Sequence, residues 1–173
     1  NVACEGMAFG VDPKVVEQVT KAVRNVTDKP VIVKLSPNVT DIVEIAKAVE
    51  AGGGDGVSLI NTILGMAIDI HRRKPVLGNI YGGLSGPAVK PVALRMVHQV
   101  YKGVNIPIMG LGGIMTGTDA IEFMMAGAQA VQVGVATMVD PTAISRIARE
   151  MGDYVEQYNL NSITDIVGAV HQG

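Results

Sequence analysis

Two apolar runs that each end in glycine constrain this chain more than any other feature. Ile106-Pro107-Ile108-Met109-Gly110-Leu111-Gly112-Gly113-Ile114 leads into Thr116-Gly117-Thr118-Asp119 and the helix-like Ala120-Ile121-Glu122-Phe123-Met124-Met125. Ala130-Val131-Gln132-Val133-Gly134-Val135-Ala136 then repeats the order of strand and glycine. A short continuous apolar run suits a strand buried on both faces. Adjacent glycines let the backbone turn sharply and come close to a ligand. Two neighbouring parallel strands that end this way present backbone N–H groups suited to phosphate oxygens. The pattern is not the dinucleotide fingerprint, because Met115 stands where a third glycine is needed.

The preceding chain has the same rhythm. Asn1 to Gly10 has no periodicity and reads as a loop. Asp12-Pro13 opens a helix, with Asp as cap and Pro at the first helical position. Its predicted inward face is Val15, Val16, Val19, Ala22, Val23 and Val26. Pro30 to Leu35 reads as a strand, and Thr40-Asp41 opens a helix with Ile42, Ile45, Ala46 and Val49 inward, stopped at Gly52-Gly53-Gly54. Gly56 to Ile60 is the next strand, ending at Asn61-Thr62. Strand starts near Val31, Val57, Ile106 and Val131 then give two short intervals around a middle one of roughly twice the length. The surplus, Ile63 to about Lys90, holds the basic run His71-Arg72-Arg73-Lys74 and the turn-rich Gly82-Gly83-Leu84-Ser85-Gly86. A long excursion at a strand end is usually functional or disordered. A helix follows with Ala93, Met96, Val97 and Val100 inward. Asp140-Pro141 reads as a further capped start, with Ile144, Ile147, Ala148, Met151, Val155 and Tyr158 on one face, and a short helix near Ile163 to Val170 closes the chain.

Helix and strand alternating four times predict βα units and a parallel sheet, hence the α/β class. Four units are half of a (β/α)8 TIM barrel, in which loops after the last two strands often bind phosphate. Half a barrel leaves open strand edges. The sequence opens on Asn1 rather than Met, so the expectation is a single domain, residues 1–173, forming the C-terminal half of such a barrel. The rival is a small open doubly wound sheet.

Composition narrows the function classes. The 173 residues are 48% hydrophobic but only 3% aromatic, so aliphatic residues and methionines on helix faces are expected to fill the core. A net charge of −2 gives no sign of nucleic-acid or membrane-surface binding. No apolar run reaches the length of a membrane span. The single cysteine excludes an internal disulfide and suits a reducing cytoplasm.

Several side chains could carry chemistry. Lys34 falls where a buried strand gives way to its loop, the usual place for barrel catalytic groups; there it either stabilises negative charge on a ligand ring or is a solvated lysine. Asn61 and Thr62 follow another strand, and an amide suits an amide- or imide-bearing ring; the plainer reading is a turn asparagine. Gly112, Gly113, Gly134 and Val135 would supply backbone donors to phosphate, and Gly86 belongs to a loop that could cover a ring. Cys4 has no identifiable base beside it and reads as inert. His71, His98 and His171 lack ligand spacing, so no metal is expected.

Taken together, Phe9-Gly10, Val33-Lys34-Leu35-Ser36-Pro37-Asn38, Ile60-Asn61-Thr62, Gly82-Gly83-Leu84-Ser85-Gly86-Pro87-Ala88, Met109 to Ile114 and Val133-Gly134-Val135-Ala136 resemble the dihydroorotate dehydrogenases, closest to the catalytic subunit of their class 1B, NAD-linked form. The resemblance covers nearly the whole chain in order. It implies a flavin-binding (β/α)8 barrel that oxidises dihydroorotate to orotate in pyrimidine synthesis. The C6 hydride passes to FMN while a base removes the C5 proton.

By that resemblance Lys34, Ile60, Gly86, Gly112, Gly113, Gly134 and Val135 bind FMN, while Asn61, Thr62 and Asn1 hold the pyrimidine. The family's catalytic cysteine lies in a Cys-Pro-Asn motif, and Asn1 matches its Asn. The base is thus expected two residues before Asn1, no catalytic base is expected in this chain, and Cys4 does not inherit the role. Residues 1–173 alone are expected to be inactive. Val135 stands where many relatives have threonine, so a hydroxyl contact to phosphate is lost. The class also implies a partner subunit carrying FAD and a 2Fe-2S iron–sulfur cluster, electrons passed on to NAD, and a homodimer within a heterotetramer. Two other functions compete: an FMN barrel oxidoreductase acting on a different pyrimidine, and a non-redox barrel that binds a phosphate ligand.

Overall fold

A parallel sheet carries the molecule, and helices join its strands. The computed structural model describes residues 9–171. Asn1 and Cys4 lie outside them. The elements run α1 (Pro13–Arg24), β1 (Ile32–Leu35), α2 (Ile42–Ala51), β2 (Gly56–Leu59), β3 (Ile63–Met66), β4 (Ile68–Asp69), β5 (Lys74–Pro75), β6 (Tyr81–Leu84), α3 (Lys90–Tyr101), β7 (Ile108–Leu111), α4 (Gly117–Met125), β8 (Ala130–Gln132), α5 (Val135–Val139) and α6 (Ala143–Gln157).

Strands β1, β2, β7 and β8 pair in that order, all parallel, with Lys34 beside Ser58, Ser58 beside Met109, and Met109 beside Ala130. Successive side chains of a strand point to opposite faces. Leu35, Val57, Leu59 and Ile108 therefore share the face that is buried against Ile45, Val49, Ala93, Val97 and Phe123. On the other face Ile32, Lys34 and Gln132 are exposed. Helices α1 to α4 pack each against the next in sequence order. Among the described residues β1 and β8 each keep a free edge, and no closed barrel forms.

The helix starts follow their caps. Asp12 accepts from the Lys14 N–H at 2.8 Å and Asp41 from the Val43 N–H at 2.8 Å, each contributing about 1 kcal/mol. The predicted inward faces of α2 and α3 are buried as expected. That of α1 is not: Val16 and Thr20 are buried, whereas Val19 is 46% and Val23 43% exposed. Those valines line an open apolar cleft along the free edge of β1 with Ile32 and Val33, so the face lacks a partner rather than an apolar character.

Three further expectations are corrected. The last long helix starts at Ala143, not at Asp140-Pro141, and Thr142 before it makes no side-chain cap. Asp140 instead ends α5, and its carboxylate accepts from the Thr142 N–H and hydroxyl; on the predicted inward face, Ile144 and Tyr158 are exposed. The stretch Ile163 to Val170 forms two 3-10 turns, Ile163–Ile166 and Ala169–His171. Met96 and Met124 are core, but Met66 on β3 and Met138 on α5 are exposed. The excursion after β2 is ordered: β3 pairs antiparallel with β6, Ile63 opposite Leu84, and β4 pairs with β5. No helix among the described residues is long and apolar enough to cross a membrane.

Candidate active site

Because the four main strands are parallel, their carboxyl ends open on the same side, where ligands of α/β sheets bind. A cleft of about 310 Å³ lies there, within the size range of small-molecule sites. Other clefts among the described residues are larger, at about 410, 480 and 420 Å³. They run between helices or along the α1–β1 edge, and position rather than size selects the first.

Nine of the ten residues expected to hold FMN or the pyrimidine meet at this cleft. Lys34, Ile60, Asn61, Thr62, Gly86, Gly112, Gly113, Gly134 and Val135 all line it. Asn1 falls outside the described residues. Lys34 comes from β1, and among the described residues its amine pairs with no carboxylate and makes no hydrogen bond. Strand β2 ends in a cis Leu59–Ile60 peptide. The Ile60 N–H then donates to Leu111 O and the Asn61 N–H to Leu35 O, both at 2.9 Å, which ties the ends of β1, β2 and β7 together. Asn61 Oδ1 accepts from the Thr62 N–H at 2.9 Å, leaving the exposed amide nitrogen free to donate.

The glycine loops leave donors unused. Gly112 and Gly113 have φ of +127° and +79°, in the region that favours glycine. Among the described residues the N–H groups of Gly112, Gly113, Gly134 and Val135 have no acceptor. A Cβ added at Gly134 would meet nothing within 4 Å. Close to Val135, the Thr137 hydroxyl turns back and donates to Gly134 O at 2.7 Å. A ring with an attached phosphate suits this donor set. The loops would face the anion, Gly86 and Ile60 the ring, and Lys34 any negative charge on it.

The sequence reading missed several residues. Asn38 accepts from the Leu64 N–H at 2.9 Å and donates to Thr62 O at 3.1 Å, so it fixes the segment that carries Asn61 and Thr62. Gln132 and the exposed Met138 also line the cleft. Behind the Gly112-Gly113 loop, Lys90 pairs with Asp119 at 2.6 Å and with Glu122 at 2.7 Å. Thr116 and Asp119 form a reciprocal capping box, a spacing that was legible; Asn38 stood in the Val33 to Asn38 motif without a role of its own, and Lys90 gave no local signal. The histidines lie apart from the site, with His98 and His171 stacked at 4.1 Å and His71 in the excursion.

Comparison with known proteins matches residues 1–155 to the family described as dihydroorotate dehydrogenase. The chain is 62% identical over 171 residues to the dihydroorotate dehydrogenase B (NAD(+)), catalytic subunit, of Desulforamulus reducens, covering 99% of this chain and 56% of that protein. Against the proteins of the same name from Alkaliphilus oremlandii and Alkaliphilus metalliredigens it is 60% identical over 168 residues and 58% over 170, covering 97% and 98% of this chain. It spans 56% of each of those two as well, about half the length of the curated relatives it matches.

Proposed function

Because the chain belongs to the dihydroorotate dehydrogenase family, we propose that residues 1–173 are the C-terminal four βα units of one FMN-binding (β/α)8 barrel. The whole protein is then the class 1B catalytic subunit, oxidising dihydroorotate to orotate in cytoplasmic pyrimidine synthesis. Relatives named as catalytic subunits of the NAD(+) enzyme support a separate partner subunit. In this reading that partner carries FAD and an iron–sulfur cluster, delivers electrons to NAD, and joins paired catalytic subunits in a heterotetramer.

Three features favour the half barrel over a doubly wound sheet. The strands pair in sequence order apart from the excursion. Helices α1 to α4 form one layer, each against the next. The opposite sheet face carries exposed Ile32 and Lys34, where a doubly wound sheet would have helices.

The observation that carries the function is the cleft at the strand ends, where Lys34, Asn61 and two loops of unpaired N–H groups converge. FMN, when bound, supplies the acceptor for the substrate's C6 hydride. The Gly112, Gly113, Gly134 and Val135 N–H groups hold its phosphate, and Ile60 and Gly86 border the ring. Lys34 brings a cation, unpaired among the described residues, to a position where it stabilises negative charge on that ring. Asn61 donates its amide to the pyrimidine, and Thr62 orients Asn61 through the bond at 2.9 Å. Asn38 holds this segment in register from β1's loop.

The test is anaerobic titration of the full-length subunit with dihydroorotate, read by flavin absorbance. Bleaching by dihydroorotate is expected. A purified subunit without flavin, or one bleached only by another dihydropyrimidine, would overturn the reading.

A further inference from the structure

The loop between β7 and α4 is unpaired at one end and heavily bound at the other. The Gly112 and Gly113 N–H groups have no acceptor among the described residues. From Met115 to Gly117 all three N–H groups and one carbonyl are taken by charged side chains. The Met115 and Thr116 N–H groups both donate to Asp119 Oδ2 at 2.9 Å. The Gly117 N–H donates to Glu150 Oε2 at 2.5 Å, and Met115 O accepts from Arg146 Nη2 at 3.1 Å.

These side chains are themselves cross-braced. Lys90, at the start of α3, lies 2.6 Å from Asp119 and 2.7 Å from Glu122. Arg146 lies 2.9 Å from Glu150 and 3.4 Å from Asp140. Side chains of α4 and α6 therefore grip one short loop, and Lys90 of α3 braces it through Asp119. The charges do not attract an anion, because four carboxylates face two cations and both cations are engaged. A phosphate at Gly112-Gly113 must be held by N–H dipoles, and dipoles stabilise charge best when their direction is set before the ligand arrives.

We propose that Asp119, Arg146 and Glu150 are positioning residues that preset the Gly112-Gly113 loop for a phosphate monoester, and so make the site prefer a flavin with its phosphate over the same flavin without it. The inference rests on the reading that the cleft holds FMN. It assigns the preference to side chains that touch no part of the ligand.

The experiment compares FMN with riboflavin. Dissociation constants for both are measured by flavin fluorescence on the full-length subunit stripped of flavin. Arg146→Gln and Glu150→Gln are each expected to weaken FMN about tenfold while riboflavin stays within about twofold. Loss of both flavins equally, or unchanged FMN affinity, would overturn the proposal. A parent that binds riboflavin as tightly as FMN would overturn the phosphate reading itself, and the inference with it. Should Arg146→Gln fail to fold, Glu150→Gln carries the same comparison, since it keeps the side-chain shape, removes the charge and leaves one acceptor oxygen where Gly117 and Arg146 now use two.

Discussion

A Cβ on Gly113 would lie 2.7 Å from the carbonyl oxygen of Gly86, so the loop after β7 and the loop before α3 meet across a gap that admits no side chain. The φ of Gly113, +79°, is also left-handed. Gly113→Ala is expected to cost about 1–2 kcal/mol in backbone conformation alone, and more from the collision. It should also push the Gly86 loop away from the ring side of the cleft. Urea unfolding and flavin content of the full-length subunit measure the two effects. Parental values in both would mean that the loops need not touch.

Lys34→Ala should leave FMN bound, because the phosphate loops are untouched, but slow flavin reduction by dihydroorotate. Loss of one preorganised charge contact of this kind costs on the order of 10²-fold in rate. Rapid anaerobic mixing measures it. Reduction at the parental rate would remove Lys34 from the mechanism.

Asn61→Ala should lower kcat/KM on dihydroorotate, since an unpaired buried polar partner costs about 1–3 kcal/mol, with FMN content unchanged. Asn38→Ala acts one step removed, by releasing Thr62 O and the Leu64 N–H. Its effect should shrink sharply when combined with Asn61→Ala, as coupled sites do. Simple additivity in that double-mutant cycle would separate Asn38 from Asn61.

The Lys90–Asp119 pair sets a pH window. Bonds to Asp119 and then Glu122 raise the Lys90 amine above its ordinary 10.5. Burial pushes Asp119 upward, but the bonds from Lys90, the Met115 N–H and Thr116 outweigh it and hold the carboxyl below its ordinary 3.8. A depressed carboxylate stabilises the fold above its ordinary value and loses that contribution as pH falls through the folded value. A raised amine contributes below its ordinary value and loses it as pH rises through the folded value. The stability difference between parent and Asp119→Asn should therefore be flat through neutral pH and shrink below 3.8. That for Lys90→Met should shrink above 10.5. Urea unfolding across pH checks both; a difference that varies between pH 5 and 9 would contradict the pairing.

Local pattern determined much of this protein. Asp12 and Asp41 were legible as caps because each bonds an N–H only two residues ahead. The faces of α2 and α3 were legible because helical periodicity records which side is apolar. The glycines at Gly112-Gly113 and Gly134 marked the strand ends because left-handed or ligand-facing backbone has few other solutions. Tertiary structure decided the rest. Periodicity marked Val19 and Val23 as apolar, but whether a neighbour covers them depends on what packs along β1. Asp140 had the look of a cap, yet Thr142 and Arg146 claim its carboxylate. The pairing of Ile63 with Leu84 and the bond from Arg146 to Met115 O join residues far apart in the chain. Such contacts follow from how helices and loops stack around the sheet, and no window of sequence short enough to read by pattern contains both partners.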